Sequence, residues 1–321
     1  MRMLITGGAG CIGSELAEAL IQQGHEVLVY DNLSSGSVAH LDALIGMENF
    51  KFVEADLLDV GTLQSHLQGV EFVWHLAANP DIKFKPGEAT DKDLQQNTVA
   101  TYNVLECMRR NGVTALAFAS TSAVYGIPKQ LPISEDHPCR PISLYGASKL
   151  ACEGLISAFQ NLFDWRCFIF RFANIVGSKM RKRGGTVITD FVGKLQTNPE
   201  RLEILGNGNQ AKSYLLCREC IDAMLFAVTK SSERLAIYNI GCHDSLSVER
   251  ISEIVEQTMG LHHVRHEYTG TEGGWPGDVP RFILAPEKLN RLGWRALHNS
   301  EQAVVEAVRF VVQRQSVSCK Q

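Results

Sequence analysis

Residues 2–23, RMLITGGAGCIGSELAEALIQQ, decide the fold. An apolar run from Arg2 to Thr6 ends in glycines, and beyond them Ile12, Leu16, Ala19 and Leu20 recur at helical spacing. The order is strand, turn, helix. Gly7, Gly10 and Gly13 fall on the turn together with Cys11 and Ile12. One glycine permits the tight bend, one lets backbone N–H groups approach a pyrophosphate, and one lets helix and sheet pack closely. Glu26 to Tyr30 reads as a second strand, and Asp31 ends it 18 residues past Gly13, where a carboxylate accepts hydrogen bonds from an adenosine ribose. No Arg follows Asp31 closely, so a 2′-phosphate would meet repulsion without a counter-charge, which favours NAD over NADP.

The alternation continues along the chain. Phe50–Glu54 and Glu71–His75 read as the third and fourth strands, with Asp56-Leu57 and Leu76-Ala77-Ala78 at their ends facing the same crevice. Small Ala side chains there let a dinucleotide lie close. Leu94 to Arg110 has helical periodicity and stops at Asn111-Gly112, ahead of a strand at Ala115–Ala119. A helix at Ser143–Gln160 and a strand at Arg166–Arg171 follow. This pattern predicts an α/β protein with a doubly wound parallel sheet of Rossmann type, helices on both faces. After Gly177 the texture changes to Lys179, Arg181, Lys182 and Arg183 before Gly184-Gly185. The expected division is residues 1–177, with 236–243 rejoining the sheet, and a smaller C-terminal domain over 178–321.

At 321 residues, 45% hydrophobic and 21% charged, the chain suits about two folded domains rather than a disordered polymer. Lys plus Arg number 31 and Asp plus Glu 35, a formal charge of −4, so no basic excess exists to hold a phosphate backbone and no nucleic-acid partner is expected. No stretch approaches the ~18 consecutive apolar residues of a membrane span. The first strand starts at Arg2, leaving no room for a signal peptide, so a cytoplasmic protein with no membrane partner is the expectation. Nine cysteines are scattered singly and read as reduced, packing thiols. Cys217-Arg218-Glu219-Cys220 has metal-ligand spacing but lacks a second paired cluster, and His262, His263 and His266 read as surface histidines; no metal is expected.

Tyr145-Gly146-Ala147-Ser148-Lys149 places Tyr145 and Lys149 four apart, on one helix face. A free phenol has a pKa near ~10, and two positive charges, Lys149 and an oxidised nicotinamide, lower it toward neutrality, making Tyr145 a usable base. Ser120-Thr121-Ser122 ends the fifth strand at the carboxyl edge, where open α/β sheets bind ligands, and offers a hydroxyl to the same substrate oxygen.

Nearly end to end, through TGGAGCIGS, DNLSSG, HLAANPD, STSAVYG, PISLYGASKLACE, RFANIVG, EILGNGNQAKSYL and GWPGDVP, the chain resembles the extended short-chain dehydrogenase/reductase family, and within it the UDP-glucose 4-epimerases. The resemblance implies Tyr145 and Lys149 as catalytic base and partner, and Thr121 as the hydroxyl that joins them. It implies cofactor contacts from the glycine loop, from Asp31, Asn32, Ser34 and Gly36, from Asp56, Leu57, Leu76, Ala77 and Ala78, and from Asn97, Tyr145 and Lys149. It implies Asn174 as a contact to the sugar nucleotide, held mainly by the C-terminal domain. The implied reaction is NAD-dependent inversion at C4 of a UDP-sugar through a 4-keto sugar. Dehydratase relatives carry Asp-Glu after the catalytic Thr and decarboxylating relatives a Glu at the second of those positions, whereas Ser122 and Ala123 stand here. A family Arg that grips the diphosphate is Lys212, which keeps the charge and loses the bidentate fork. A second family Arg position falls near Trp275, with Arg281 or the 179–183 loop as the replacement cation. Phe282 falls near a position whose bulk disfavours N-acetylated sugars. The competing readings are a relative with net cofactor turnover and a non-catalytic NAD sensor. Val104, Leu105, Met108, Leu155, Ile156 and Phe159 are too many for one packed face, which with the family's habit predicts a homodimer.

Overall fold

The structure is a computed structural model that describes residues 1–81, 87, 89–180, 186–275 and 277–318. The first elements are β1 (Arg2–Thr6), α1 (Cys11–Gln22), β2 (Glu26–Asp31), β3 (Phe50–Glu54), α2 (Val60–His66) and β4 (Phe72–His75). A π-helical turn (Leu94–Val99) then runs into α3 (Ala100–Asn111), followed by β5 (Ala115–Thr121), a 3-10 turn (Ser122–Tyr125), α4 (Leu144–Phe163) and β6 (Arg166–Phe172). Next come β7 (Asn174–Val176), α5 (Val187–Thr197), β8 (Arg201–Ile204), β9 (Ala211–Lys212), β10 (Tyr214–Leu216), α6 (Cys217–Lys230) and β11 (Leu235–Ile240). The chain closes with β12 (Leu246–Ser247), α7 (Val248–Met259), β13 (Arg265–Tyr268), β14 (Arg281–Phe282), α8 (Glu287–Leu292) and α9 (Ser300–Ser318).

Seven strands form one sheet in the order β11-β6-β5-β4-β1-β2-β3. β1 pairs in parallel with β2 on one side and β4 on the other, so the strand order reverses there. Beyond the carboxyl ends at such a switch point, open α/β sheets bind their ligands. Met3, Leu4 and Ile5 are buried in succession, as are Val27, Leu28 and Val29, which is the mark of strands covered on both faces. One face rests on Leu63, Leu67, Val104, Leu105, Met108, Cys152 and Ile156. Gly112, in the left-handed region at φ 71°, stops α3, and the Ser143 hydroxyl accepts from the Gly146 N–H at 3.1 Å to start α4.

The chain divides into two compact units. The first comprises Met1–Gly126, Pro138–Phe172 and Ile221–Tyr238; the second comprises Ile127–His137, Ala173–Cys220 and the chain from Asn239 on. The second unit carries three small sheets, β10-β7, β12-β9-β14 and β13-β8. Among the described residues, no helix is long and apolar enough to cross a membrane.

Two expectations need correction. The helix expected to run regularly from Leu94 opens instead with a wider π-helical turn, a one-residue change that hydrophobic periodicity does not register. Val104, Leu105, Met108 and Ile156 are no surplus stripe, because all four are fully buried against the sheet, with Leu155 and Phe159 packed beside them. The apolar side chains that α3, α4 and the π-helical turn expose are Leu94, Tyr102, Leu144, Leu162 and Phe163.

Candidate active site

The turn after β1 is a cradle that only glycines allow. Gly7 sits at φ +70°, and a Cβ on it would lie 2.7 Å from the Ala77 backbone. A Cβ on Gly13 would collide with the Gly7 carbonyl, and Gly10 caps the N-terminus of α1, leaving Cys11 and Ile12 as its first residues. Asp31 completes the cradle from the end of β2: one oxygen accepts from the Ala9 N–H at 2.9 Å and the other from the Leu33 N–H at 2.8 Å. Burial pushes its carboxyl up, against those two hydrogen bonds and the nearby His40 ring. Each oxygen keeps a lone pair for a ribose hydroxyl. The sequence that follows, Asn32-Leu33-Ser34, brings no cation. Gly36 packs on Ala9, Asn32 donates to Asp56 at 2.7 Å, and the Ser34 N–H is held by Asn32 at 3.0 Å. Leu57 is buried, with its carbonyl bound by Asn103, while the Leu76 and Ala77 N–H groups bond to Thr6. An aimed helix N-terminus, a side-chain-free floor and a buried carboxylate at the second strand end suit a dinucleotide with unmodified ribose.

Thr121 ends β5, and its hydroxyl caps the 3-10 turn by accepting from the Ala123 N–H at 3.2 Å. Gly146, in the first turn of α4, lets the helix press against that turn: a Cβ there would lie 2.6 Å from the Ala123 carbonyl. The approach brings Thr121 into a hydrogen bond with Tyr145. Burial pushes the Tyr145 phenol up to about 12, with the Thr121 bond opposing and the charges of Asp93 and Cys152 adding to the rise. Lys149, one turn on, is buried with its ammonium 4.1 Å over the Phe118 ring, and burial holds its pKa down to about 8. A phenol alone is a weak acid here; the site needs more positive charge before Tyr145 can act as a base at neutral pH.

Asn97 sits in the π-helical turn. Its Oδ1 accepts from the Asn79 N–H at 2.8 Å and its Nδ2 donates to the Ser148 hydroxyl at 2.8 Å, so it fastens the segment after β4 to α4. The Cys152 thiol donates to the Asn97 carbonyl at 3.5 Å. His75 is a lone histidine on an apolar strand, a pattern that gives no signal in the sequence. It is fully buried between the hydroxyls of Thr6, at 2.6 Å, and Thr101, at 2.9 Å. Burial, and then the Lys149 charge, hold its pKa down to about 3 from 6.5. Below pH ~6.5 the unfolded chain takes up a proton that the folded chain refuses, so stability falls as pH drops from there toward 3. His75→Gln removes that share of the loss. Comparing urea unfolding at pH 7.5 and 4.5, the variant should gain about 3 kcal/mol relative to the parent at the lower pH; a difference that does not change with pH would contradict it.

The second unit holds the other candidates. Asn174 begins β7, paired in register with Tyr214 of β10, and its side chain bonds the Tyr214 hydroxyl. Lys212 lies on β9, opposite Phe282 of β14. Its ammonium is 2.5 Å from the Asp278 carboxylate, 5.0 Å over the Trp275 ring and 5.9 Å from the Phe282 ring. Arg281, the neighbour of Phe282, is exposed. Nothing local in the sequence links Asp278 to a lysine 66 residues away. Ala78 continues the run after β4, and Lys179 and Met180 are described, whereas Arg181, Lys182, Arg183 and the two glycines after them lie outside the described residues.

Residues 3–241 match the NAD dependent epimerase/dehydratase family. A putative UDP-glucose 4-epimerase of Methanocaldococcus jannaschii is 30% identical over 96% of this chain and 98% of its own length. A crystal structure of a UDP-galactose 4-epimerase is 36% identical, covers 98% of this chain and 99% of its own, and superposes with a TM-score of 0.87. The UDP-glucose 4-epimerase of Thermotoga maritima, solved with UDP-glucose, is 28% identical, covers 99% and 100%, and gives 0.88.

Proposed function

The chain belongs to the NAD dependent epimerase/dehydratase family, and from that membership we propose that it is a UDP-sugar 4-epimerase acting on UDP-glucose and UDP-galactose. The observation that supports the reading is the Thr121 turn pressed on α4, with its hydroxyl bonded to the Tyr145 phenol and Lys149 one helical turn on, while Ser122 and Ala123 provide no acid for elimination or decarboxylation. When bound, NAD supplies the acceptor that takes hydride from C4 and gives it back to the opposite face. Tyr145 removes the C4 hydroxyl proton and later returns it. Lys149 supplies positive charge that favours the phenolate, and Thr121 holds both phenol and substrate oxygen by hydrogen bonds. Residues 1–177, with 236–243, take the cofactor, through the glycine loop, Asp31, Asp56 and the Leu76-Ala77-Ala78 segment. Asn97 supports that site through Asn79 and Ser148. Residues 178–321 take most of the sugar nucleotide, through Lys212 and Arg281, and Asn174, just ahead of that boundary, adds a contact to it. Phe282 favours unsubstituted hexoses over N-acetylated ones. Tyr102, Leu162 and Phe163 on α3 and α4 give a second copy of the chain its contact surface.

Purified protein incubated with UDP-galactose and no added NAD should form UDP-glucose, separated by chromatography. Slower conversion is expected of UDP-N-acetylgalactosamine. No interconversion of either, nor of UDP-galacturonate, would overturn the assignment, and stoichiometric NADH release would mark a dehydrogenase instead.

A further inference from the structure

Behind Thr121, Tyr145 and Lys149 lies a polar group that the chemistry above does not use. Glu153 is one helical turn beyond Lys149 on α4, and Arg171 on β6 stands in register opposite Ser120 on β5. Glu153 Oε1 accepts from the Ser120 hydroxyl at 2.5 Å and from Arg171 Nε at 3.1 Å, and its Oε2 accepts from Arg171 Nη2 at 2.7 Å. Arg171 Nη1 donates to the Tyr125 hydroxyl at 3.0 Å, and the guanidinium lies 4.9 Å over the Tyr125 ring. Both charged side chains are only 6% exposed. The Cys139 thiol, which burial pushes up, faces the same pair.

A buried ion pair is weak evidence for stability, since well-packed apolar residues often do as well, so its use is better sought in what it fixes. This one ties together every element that carries the proton-transfer set. Ser120 immediately precedes Thr121, Tyr125 closes the turn that Thr121 caps, and Glu153 belongs to the helix of Tyr145 and Lys149. The bidentate fork leaves little freedom of angle.

We propose that Glu153 and Arg171, acting through Ser120 and Tyr125, are positioning residues that set the separation between the Thr121 hydroxyl and the Tyr145 phenol. The proposal rests on the roles given to Thr121 and Tyr145 above. Loosening the link weakens the Thr121 bond that holds the phenol down, and leaves Tyr145 facing Asp93 and Cys152, which push it up, with Lys149 on its own helix.

The test is Ser120→Ala, which removes the β5 link and leaves the ion pair intact. Expected are a 10- to 100-fold fall in kcat, a KM for UDP-galactose within threefold of the parent, unchanged NAD content, and an acid limb of the kcat profile moved up by half a pH unit or more. Ser120→Thr, which keeps the hydroxyl, should restore kcat to within threefold. Ultraviolet titration of the Tyr145 phenol, taken as the difference from a Tyr145→Phe background, should show a higher pKa in Ser120→Ala, and this reading stands even if the parent turns over no UDP-sugar. An unshifted phenol titration overturns the proposal, as does parental kcat in Ser120→Ala. Should Ser120→Ala fail to fold, Tyr125→Phe is read in the same way and by the same two criteria.

Discussion

Tyr145→Phe is expected to lower kcat for UDP-galactose by about a thousandfold, near 4 kcal/mol of barrier, while the protein still purifies with NAD. The substitution removes one oxygen from the half-buried Tyr145 in the first turn of α4 and keeps the ring that fills the space. Nothing in the glycine cradle or around Asp31 depends on that oxygen, so cofactor content and melting temperature should stay close to the parent's. The loss is large because the proposed chemistry routes the proton through Tyr145 alone. Thr121 is not acidic enough, and His75, whose ring feels the Lys149 charge, is sealed between Thr6 and Thr101. In the protein by itself the phenol stands at about 12. At pH 7 only roughly one site in 10⁵ would then be ionised, so the proposed role of Tyr145 requires added positive charge, which an oxidised nicotinamide bound beside it would supply. Turnover of the variant within tenfold of the parent would remove Tyr145 from the reaction.

Lys149→Met should cut kcat by about a hundredfold and stabilise the protein in the same stroke. Burial holds the ammonium's pKa down to about 8 from 10.5. Below pH 8 the residue is charged in both folded and unfolded chains, and the folded state carries the whole burial penalty. Between 8 and 10.5 the unfolded chain binds more protons than the folded one, so parental stability rises with pH and the penalty is relieved. The variant is therefore expected to exceed the parent by about 3 kcal/mol in urea unfolding at pH 7, less what the contact with Phe118 contributes, and to lose that lead by pH 10.5. A variant less stable than the parent at pH 7, with no convergence at high pH, would mean that Lys149 serves packing rather than chemistry.

Much of the fold is legible because its signals are local. The strand, glycine turn and helix at 2–23 are fixed by spacing, the Asn111-Gly112 stop is a matter of backbone conformation, and Tyr145 and Lys149 share a face by helical geometry alone. What stayed hidden is long-range or too short to be periodic. β9, β12 and β14 have two residues each, and the π-helical turn at Leu94–Val99 adds a single residue to an otherwise helical pattern. Apolar spacing says that Val104, Leu105 and Met108 are buried, but not whether a sheet or a second chain buries them. Lys212 with Asp278, and Glu153 with Arg171, are pairs made by the fold, and no window of sequence contains both partners' reasons for meeting.

The most direct test of oxidation and reduction at one carbon follows an isotope. UDP-galactose carrying deuterium at C4 is incubated in ordinary water with purified protein and no added NAD, and the UDP-glucose formed is examined by mass spectrometry and proton NMR. The proposed chemistry predicts that C4 of the product retains the deuterium in full, because the atom that leaves the carbon returns to it without meeting solvent. Loss of the label to water, with a solvent proton at C4 of the product, would contradict it and point to proton abstraction at carbon.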